Sequence, residues 1–225
     1  MPLTPALNLL PMLLIALAAG LAPLLQGCAP AVVVGTAYGA SVIHERRTAG
    51  TILDDEMIEL KAKHLFYQNP EIERASRIAI TSYNYQVLLT GQADTPGVKK
   101  QFAEIVSRIP KVSKVFNEVH IGPRISLAQQ SQDALISSRA KIAIGGGKGI
   151  QGFDATRVKI VTEDGILYLM GLVTREEADT TTEIVRRLPG VVRVVRLFEY
   201  IEPTSASSRS ATTHSTARTA ADGHD

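Results

Sequence analysis

The chain repeats itself, and that fixes its architecture before any single residue is weighed. Arg77-Ile78-Ala79-Ile80 lines up with Arg157-Val158-Lys159-Ile160. The same shift of eighty residues sets Val87-Leu88-Leu89-Thr90-Gly91 on Leu167-Tyr168-Leu169-Met170-Gly171. With small gaps, Arg108-Ile109-Pro110-Lys111-Val112 meets Arg187-Leu188-Pro189-Gly190-Val191, and upstream Ala62-Lys63 meets Ala140-Lys141. Four blocks in one order mean two copies of one folding unit.

Each copy reads helix, strand, strand, helix, strand. In the first helix Ile58, Ala62 and Leu65 recur at helical spacing, and Asp54-Asp55 predict its start by capping free amides. The matching helix is expected from about Gln132 to Ile144, with Leu135, Ile136, Ala140 and Ala143. Two alternating strands follow in each copy, joined by Tyr83-Asn84-Tyr85 in the first and Glu163-Asp164-Gly165 in the second, where Asp-Gly is a strong hairpin signal. Thr95 before Pro96, and Thr174 with Glu177, mark the second helices. Pro110 and Pro189 stop them, and strands over Val112–Val119 and Val191–Ile201 complete the units. The predicted class is α+β: two tandem αββαβ two-layer sandwiches, each a three-stranded sheet with two helices.

Cys28 is the only cysteine, so no disulfide forms within one chain. It follows an apolar run, Leu9 to Leu25, that is broken by Pro11 and Pro23 and is too short for a comfortable membrane span. Leu25-Gln26-Gly27-Cys28 reads as a bacterial lipoprotein processing site, with cleavage before Cys28 and acylation of its sulfur. The n-region, Met1 to Asn8, departs from the usual leader in carrying no Lys or Arg. The expected organisation is a signal peptide over 1–27, a lipidated tether over 28–50, one domain over 51–121, a linker over 122–131, a second domain over 132–201 and a disordered Ser/Thr/Ala-rich tail over 202–225. The tether ends in Arg46-Arg47 and is expected to run close to lipid. A net charge of +2 gives no reason to expect a nucleic-acid partner.

A unit of this order, with a Gly after its second strand and a Pro-x-Val-x-x-Val step, resembles a BON domain. Two such units behind Leu-Gln-Gly-Cys, with Arg47-Thr48-Ala49-Gly50-Thr51 and Asp54-Asp55 between, resemble the dual-BON outer-membrane lipoproteins. The resemblance covers about residues 25 to 201. It implies a non-enzymatic protein, anchored by acyl chains on Cys28 at the periplasmic face of the outer membrane, that binds anionic phospholipid and supports envelope integrity. By the sorting rule of enteric lipoproteins, Ala29 in place of Asp is consistent with the outer membrane. The alternative is an adaptor for envelope assembly proteins without lipid specificity.

No catalytic constellation is present. His44, His64, His120, His214 and His224 form no pair with metal-ligand spacing and have no counterparts between copies, so no metal or cofactor is expected. Asp54-Asp55-Glu56 is better explained by capping than by a metal. Gly145-Gly146-Gly147-Lys148-Gly149 lacks the Ser or Thr of a phosphate loop and follows a helix, although its amides and Lys148 suit a lipid phosphate. The candidate lipid-binding residues are Leu135, Ile136, Arg139 and Lys141 on the first helix of the second copy, with Lys148. The ordinary alternative puts Ile136 in the core and Arg139 and Lys141 on a solvated face, and the exposure of Leu135 decides between them. The first copy is the poorer candidate because its charges balance. It is expected to dock on the second copy or on a partner, and Tyr67, Tyr83 and Tyr85 are expected to pack over its hairpin.

Overall fold

Both hairpins turn on two residues with positive φ. Asn84 and Tyr85 have φ of 51° and 66°, and Asp164 and Gly165 have 51° and 71°. Such turns match the twist of the flanking strands. The computed structural model describes residues 45–146 and 154–202, so Cys28, Lys148 and residues 203–225 lie outside the described residues.

The first copy runs α1 (Ala49–Tyr67), a short α2 (Pro70–Arg74), β1 (Ser76–Tyr83), β2 (Gln86–Ala93), α3 (Pro96–Ser107), β3 (Lys114–Asn117) and β4 (His120–Ile121). The second runs α4 (Leu127–Gly145), a 3₁₀ turn (Ala155–Arg157), β5 (Val158–Glu163), β6 (Ile166–Val173), α5 (Arg175–Val185) and β7 (Arg193–Tyr200). In each sheet the middle strand pairs antiparallel with the strand before it and parallel with the strand after α3 or α5. Thr95 accepts the amide of Val98 at the start of α3, and Thr174 and Glu177 form the expected capping box at α5.

The first helix of each copy starts earlier than expected. Thr48 caps α1 by accepting the Thr51 amide, and Ser126 caps α4 by accepting that of Gln129. Residues 127–131, assigned to the linker, are therefore the first turns of α4. The carboxylate of Asp55 does not cap. It crosses to the first hairpin and accepts the amides of Asn84 at 2.7 Å and Tyr85 at 2.9 Å and the Ser82 hydroxyl at 2.7 Å. Asp133 does the same for Asp164 and Gly165, at 2.8 and 2.9 Å. A buried acid thus holds each turn, and in the first copy it sustains Tyr85 in a conformation that favours glycine.

Gly91 and Gly171 mark another shared constraint. A Cβ on Gly91 would lie 1.9 Å from the Arg77 carbonyl oxygen, and one on Gly171 would lie 2.7 Å from that of Arg157. Only glycine lets the paired strands approach this closely.

One face of each middle strand packs on helices. Val87 and Leu89 meet Ile58, Ala62, Phe66, Phe102 and Val106, while Leu167 and Leu169 meet Ile136, Ala140, Ala178 and Val185. Each of these side chains other than the alanines contributes about 1.5–3 kcal/mol by leaving water. The opposite faces are buried too. Tyr83 and Leu88 of the first copy share a cluster with Ile166, Tyr168, Met170 and Leu197 of the second. The two sheets pack back to back, so the strands are apolar on both sides rather than alternating. Glu163 sits at the edge of this layer. It pairs with Arg77 and accepts from Gln92 Nε2 at 2.7 Å, both of the first copy. Burial raises its pKa, against the opposing pull of Gln92 and Arg77.

The segment before α1 straps the copies together. Arg46 makes a bidentate pair with Glu177 at 2.6 and 2.9 Å and donates to the Leu172 carbonyl at 2.8 Å. Arg47 pairs with Asp55 at 2.8 Å and lies over the Tyr83 ring, 3.8 Å from its centroid. Both arginines are committed to protein carboxylates, so the expectation that this end of the tether runs along lipid is corrected. Burial, then Glu45, pushes the Tyr83 hydroxyl up to about 12, and it donates to the Arg157 carbonyl at 3.1 Å.

Candidate functional site

A helix that packs one side on a sheet must show the other to something. On α4, Asp133, Ile136, Ala140 and Ile144 are buried, and the outward face carries Leu135, 48% exposed, and Ile142, 73% exposed. One turn of helix separates Leu135 from Arg139, and Ile142 follows in the same stripe. Arg139 and Lys141 are exposed and have no carboxylate partner among the described residues. Leu135 and Arg139 are therefore neighbours on the accessible face, while Lys141, two positions after Arg139, stands on the opposite flank of the apolar stripe. Ile136 is not on that face, because at 2% exposure it belongs to the core beside Leu167 and Leu169. Its place on the candidate surface is corrected by the width of the core stripe, which takes every residue near the sheet side of the helix.

Ile142 was not singled out from the sequence. The signal was available: it stands seven residues after Leu135, at the spacing that returns to the same stripe. Lys141 has a second neighbourhood. It borders a cleft of about 360 Å³ between the copies, with Arg47, Tyr83 and Lys159. Lys159 is drawn toward Glu59 at 3.5 Å, and Arg47 is held by Asp55 and Glu45, leaving Lys141 as the cleft's freest cation. The strength of the Arg47 clamp shows in its raised pKa. Burial opposes its charge, but Glu45, Tyr83 and Asp55 together outweigh that.

The first copy presents a different surface. Leu53, Met57, Leu60 and Tyr67 on α1 are each more than half exposed, opposite the buried Ile58, Ala62 and Phe66. Beside them lies a groove of about 560 Å³, bounded by α1 and Ile109, Pro110 and Lys111. Lys111 has φ of 73° and holds both oxygens of Asp54 at 2.7 Å. That bond is the largest reason for the lowered pKa of Asp54 and the raised pKa of Lys111. Asp54 is thus engaged by Lys111, and the cap of α1 is Thr48 instead. The three tyrosines expected to pack over the first hairpin go to different places: Tyr83 is buried between the sheets, Tyr85 reaches Asp54 at 3.2 Å, and Tyr67 is exposed at the end of α1.

Among the described residues no group of three or more His, Cys, Asp or Glu is placed to hold a metal ion. No described helix is long and apolar enough to cross a membrane.

The chain matches the BON domain twice, over residues 54–123 and 132–202. It is 33% identical over 196 residues to the Outer membrane lipoprotein DolP of Haemophilus influenzae, covering 87% of this chain and 100% of that protein. It is also 30% identical over 156 residues to a 21 kDa hemolysin of Actinobacillus pleuropneumoniae, covering 69% of this chain and 79% of that protein.

Proposed function

The chain belongs to the BON-domain family, and from that premise we propose that it reads anionic phospholipid at the membrane that anchors it, using the outer face of α4, and so supports envelope integrity. Its likeness to an outer-membrane lipoprotein along most of its length makes it a lipid-anchored outer-membrane protein. Acylation at Cys28 is the attachment we assign, with both domains in the periplasm.

One observation carries the lipid reading. Leu135 is half exposed on a helix whose outward charges, Arg139 and Lys141, are all positive and unpaired among the described residues. Leu135 and Ile142 enter the head-group layer while the two cations meet lipid phosphates, each contributing about 1 kcal/mol near the surface. Lys148, expected from the sequence to join this surface, lies outside the described residues. Affinity at this level is sufficient because the acyl anchor already holds the domains at the bilayer.

The test is flotation of the chain from residue 29 onward with vesicles of neutral or anionic phospholipid. Salt-sensitive binding to anionic vesicles is expected, weakened by Leu135→Ala and by Arg139→Glu. Binding to neither vesicle type would leave the acyl anchor as the sole membrane contact and favour the adaptor alternative.

A further inference from the structure

The outward residues of α1 follow a strict seven-residue rhythm. Leu53, Met57, Leu60, His64 and Tyr67 fall at alternating steps of four and three, and all five are exposed. That spacing keeps one seam facing a partner helix over its whole length and is the signature of helix-on-helix pairing. The seam lies directly opposite the core stripe of Ile58, Ala62 and Phe66, so folding of the monomer leaves it uncovered.

The charges beside the seam say what covers it. One flank carries Glu56 and then Lys63, and the other Asp54 and then Lys61. Both flanks are acidic toward the N-terminus of α1 and basic toward its C-terminus. A parallel copy would set Glu56 against Lys61 alone and leave Asp54 and Lys63 without an opposite charge across the pair. An antiparallel copy sets Glu56 against Lys63, which within the monomer only approaches Glu59 at 3.6 Å, and brings Asp54, already held by Lys111, toward Lys61, twice each about a two-fold axis. The same register stacks Met57 on Leu60 and Leu53 on His64. The flanking charges cancel, so this face has no preference for an anionic bilayer.

We propose that α1 is a self-association surface on which two copies of this chain pair through antiparallel α1 helices. The groove beside Ile109, Pro110 and Lys111 receives the flank of the partner helix. A contact made by one helix of 19 residues is small beside a standard protein interface, and a free pair would be weak. Confinement of both chains to one membrane raises their effective concentration and makes such a contact sufficient. A two-fold pair is also closed, so it does not propagate into fibres.

The experiment uses the full-length chain in intact membranes. A Met57→Cys variant is treated with a short thiol-to-thiol crosslinker, with Gln101→Cys on the exposed face of α3 as the off-surface control. Crosslinked dimer is expected from the first and not from the second. Adding Lys63→Glu, which opposes two Glu56 residues to two new glutamates, is expected to lower dimer yield about tenfold, and adding Glu56→Lys to that chain restores it. Restoration by the charge swap is particular to a homotypic antiparallel pair. Absence of dimer from Met57→Cys, equal dimer from Gln101→Cys, or a yield indifferent to Lys63→Glu would each overturn the proposal, as would failure of the double swap to restore it.

Discussion

The outer faces of α1 and α4 occupy the same place in the two copies and have opposite characters. Asp54, Glu56, Lys61 and Lys63 on α1 stand where Gln132, Ala134, Arg139 and Lys141 stand on α4. The bases are present in both and the acids only in the first. The apolar positions differ in the complementary sense, with Leu53, Met57 and Leu60 opposite Ser131, Leu135 and Ser138. One helix therefore shows a long apolar seam with cancelled charge, and the other a short apolar tip between cations. The inward faces show no such divergence: Asp55 and Asp133 hold the turns, Ala62 and Ala140 touch the sheet, and Gly91 and Gly171 admit the neighbouring strand. Packing and turn geometry constrain the inside of both units equally, while the outside is free to take up separate tasks.

The largest expected effect tests whether the shared glycines carry equal strain. Gly91 has φ of 117° as well as the closer approach to a backbone carbonyl. Gly91→Ala is expected to cost more than about 3 kcal/mol in urea unfolding, and Gly171→Ala about 1–2 kcal/mol. Equal losses would show that the two sheets are stressed alike.

The turn acids come next. Asp55 holds two amides, a hydroxyl and Arg47, whereas Asp133 holds two amides and a Gln129 contact at 3.5 Å. Asp55→Ala is expected to lower stability by about 2–4 kcal/mol and Asp133→Ala by about 1–2 kcal/mol. Calorimetry on both variants separates them, and a larger loss at Asp133 would contradict the strap's part in anchoring the first copy.

Acid should loosen the strap on the second copy. Burial opposes the charge of Glu177, but Arg46, the Thr174 amide and Arg157 outweigh it, so its pKa is lowered. A carboxylate shifted down contributes stability that is present above its unfolded value, about 4.3, and is lost as pH falls through the folded one. Glu163 runs the other way: its raised pKa means its contribution is present below the unfolded value and fades as pH rises through the folded one. Thermal unfolding followed from pH 7 downward should show Glu177→Gln removing part of the acid-side loss. An unchanged profile in Glu177→Gln would mean that the charge of Glu177 contributes nothing to the acid-side loss.

The smallest effect concerns the layer between the sheets. Tyr168 stands where Leu88 does, and its buried hydroxyl has no hydrogen-bond partner among the described residues. Tyr168→Phe is expected to be neutral or to stabilise by up to about 1 kcal/mol in urea unfolding. A loss would show that the hydroxyl is satisfied in solution.

Much of the fold was legible because its signals are local. Thr95-Pro96, the Thr174–Glu177 box, Asp164-Gly165 and the two proline stops each act within a few residues. The strap was not legible, because Arg46 and Glu177 are 131 residues apart. The back-to-back sheets left a trace that the assumption of alternating strands passes over. Val87-Leu88-Leu89 and Ile166 to Met170 are unbroken apolar runs, as expected of strands covered on both faces. The turn acids were misplaced for a similar reason. Asp54-Asp55 resembles a cap locally, and only the matching position of Asp133 hints that Asp55 serves the hairpin instead. On the candidate surface, Leu135, Arg139 and Lys141 lie where helical spacing puts them, and Ile136 falls inside because the buried stripe is wide.

The divergence of the two helices is tested most directly by binding to anionic vesicles after matched charge reversals on each. Arg139→Glu with Lys141→Glu is expected to lower salt-sensitive binding of the chain from residue 29 onward by more than tenfold, from about 1 kcal/mol per cation lost. Lys61→Glu with Lys63→Glu, at the matching positions of α1, is expected to leave it unchanged. Equal losses from the two pairs, or loss from the α1 pair alone, would contradict the assignment of lipid to α4.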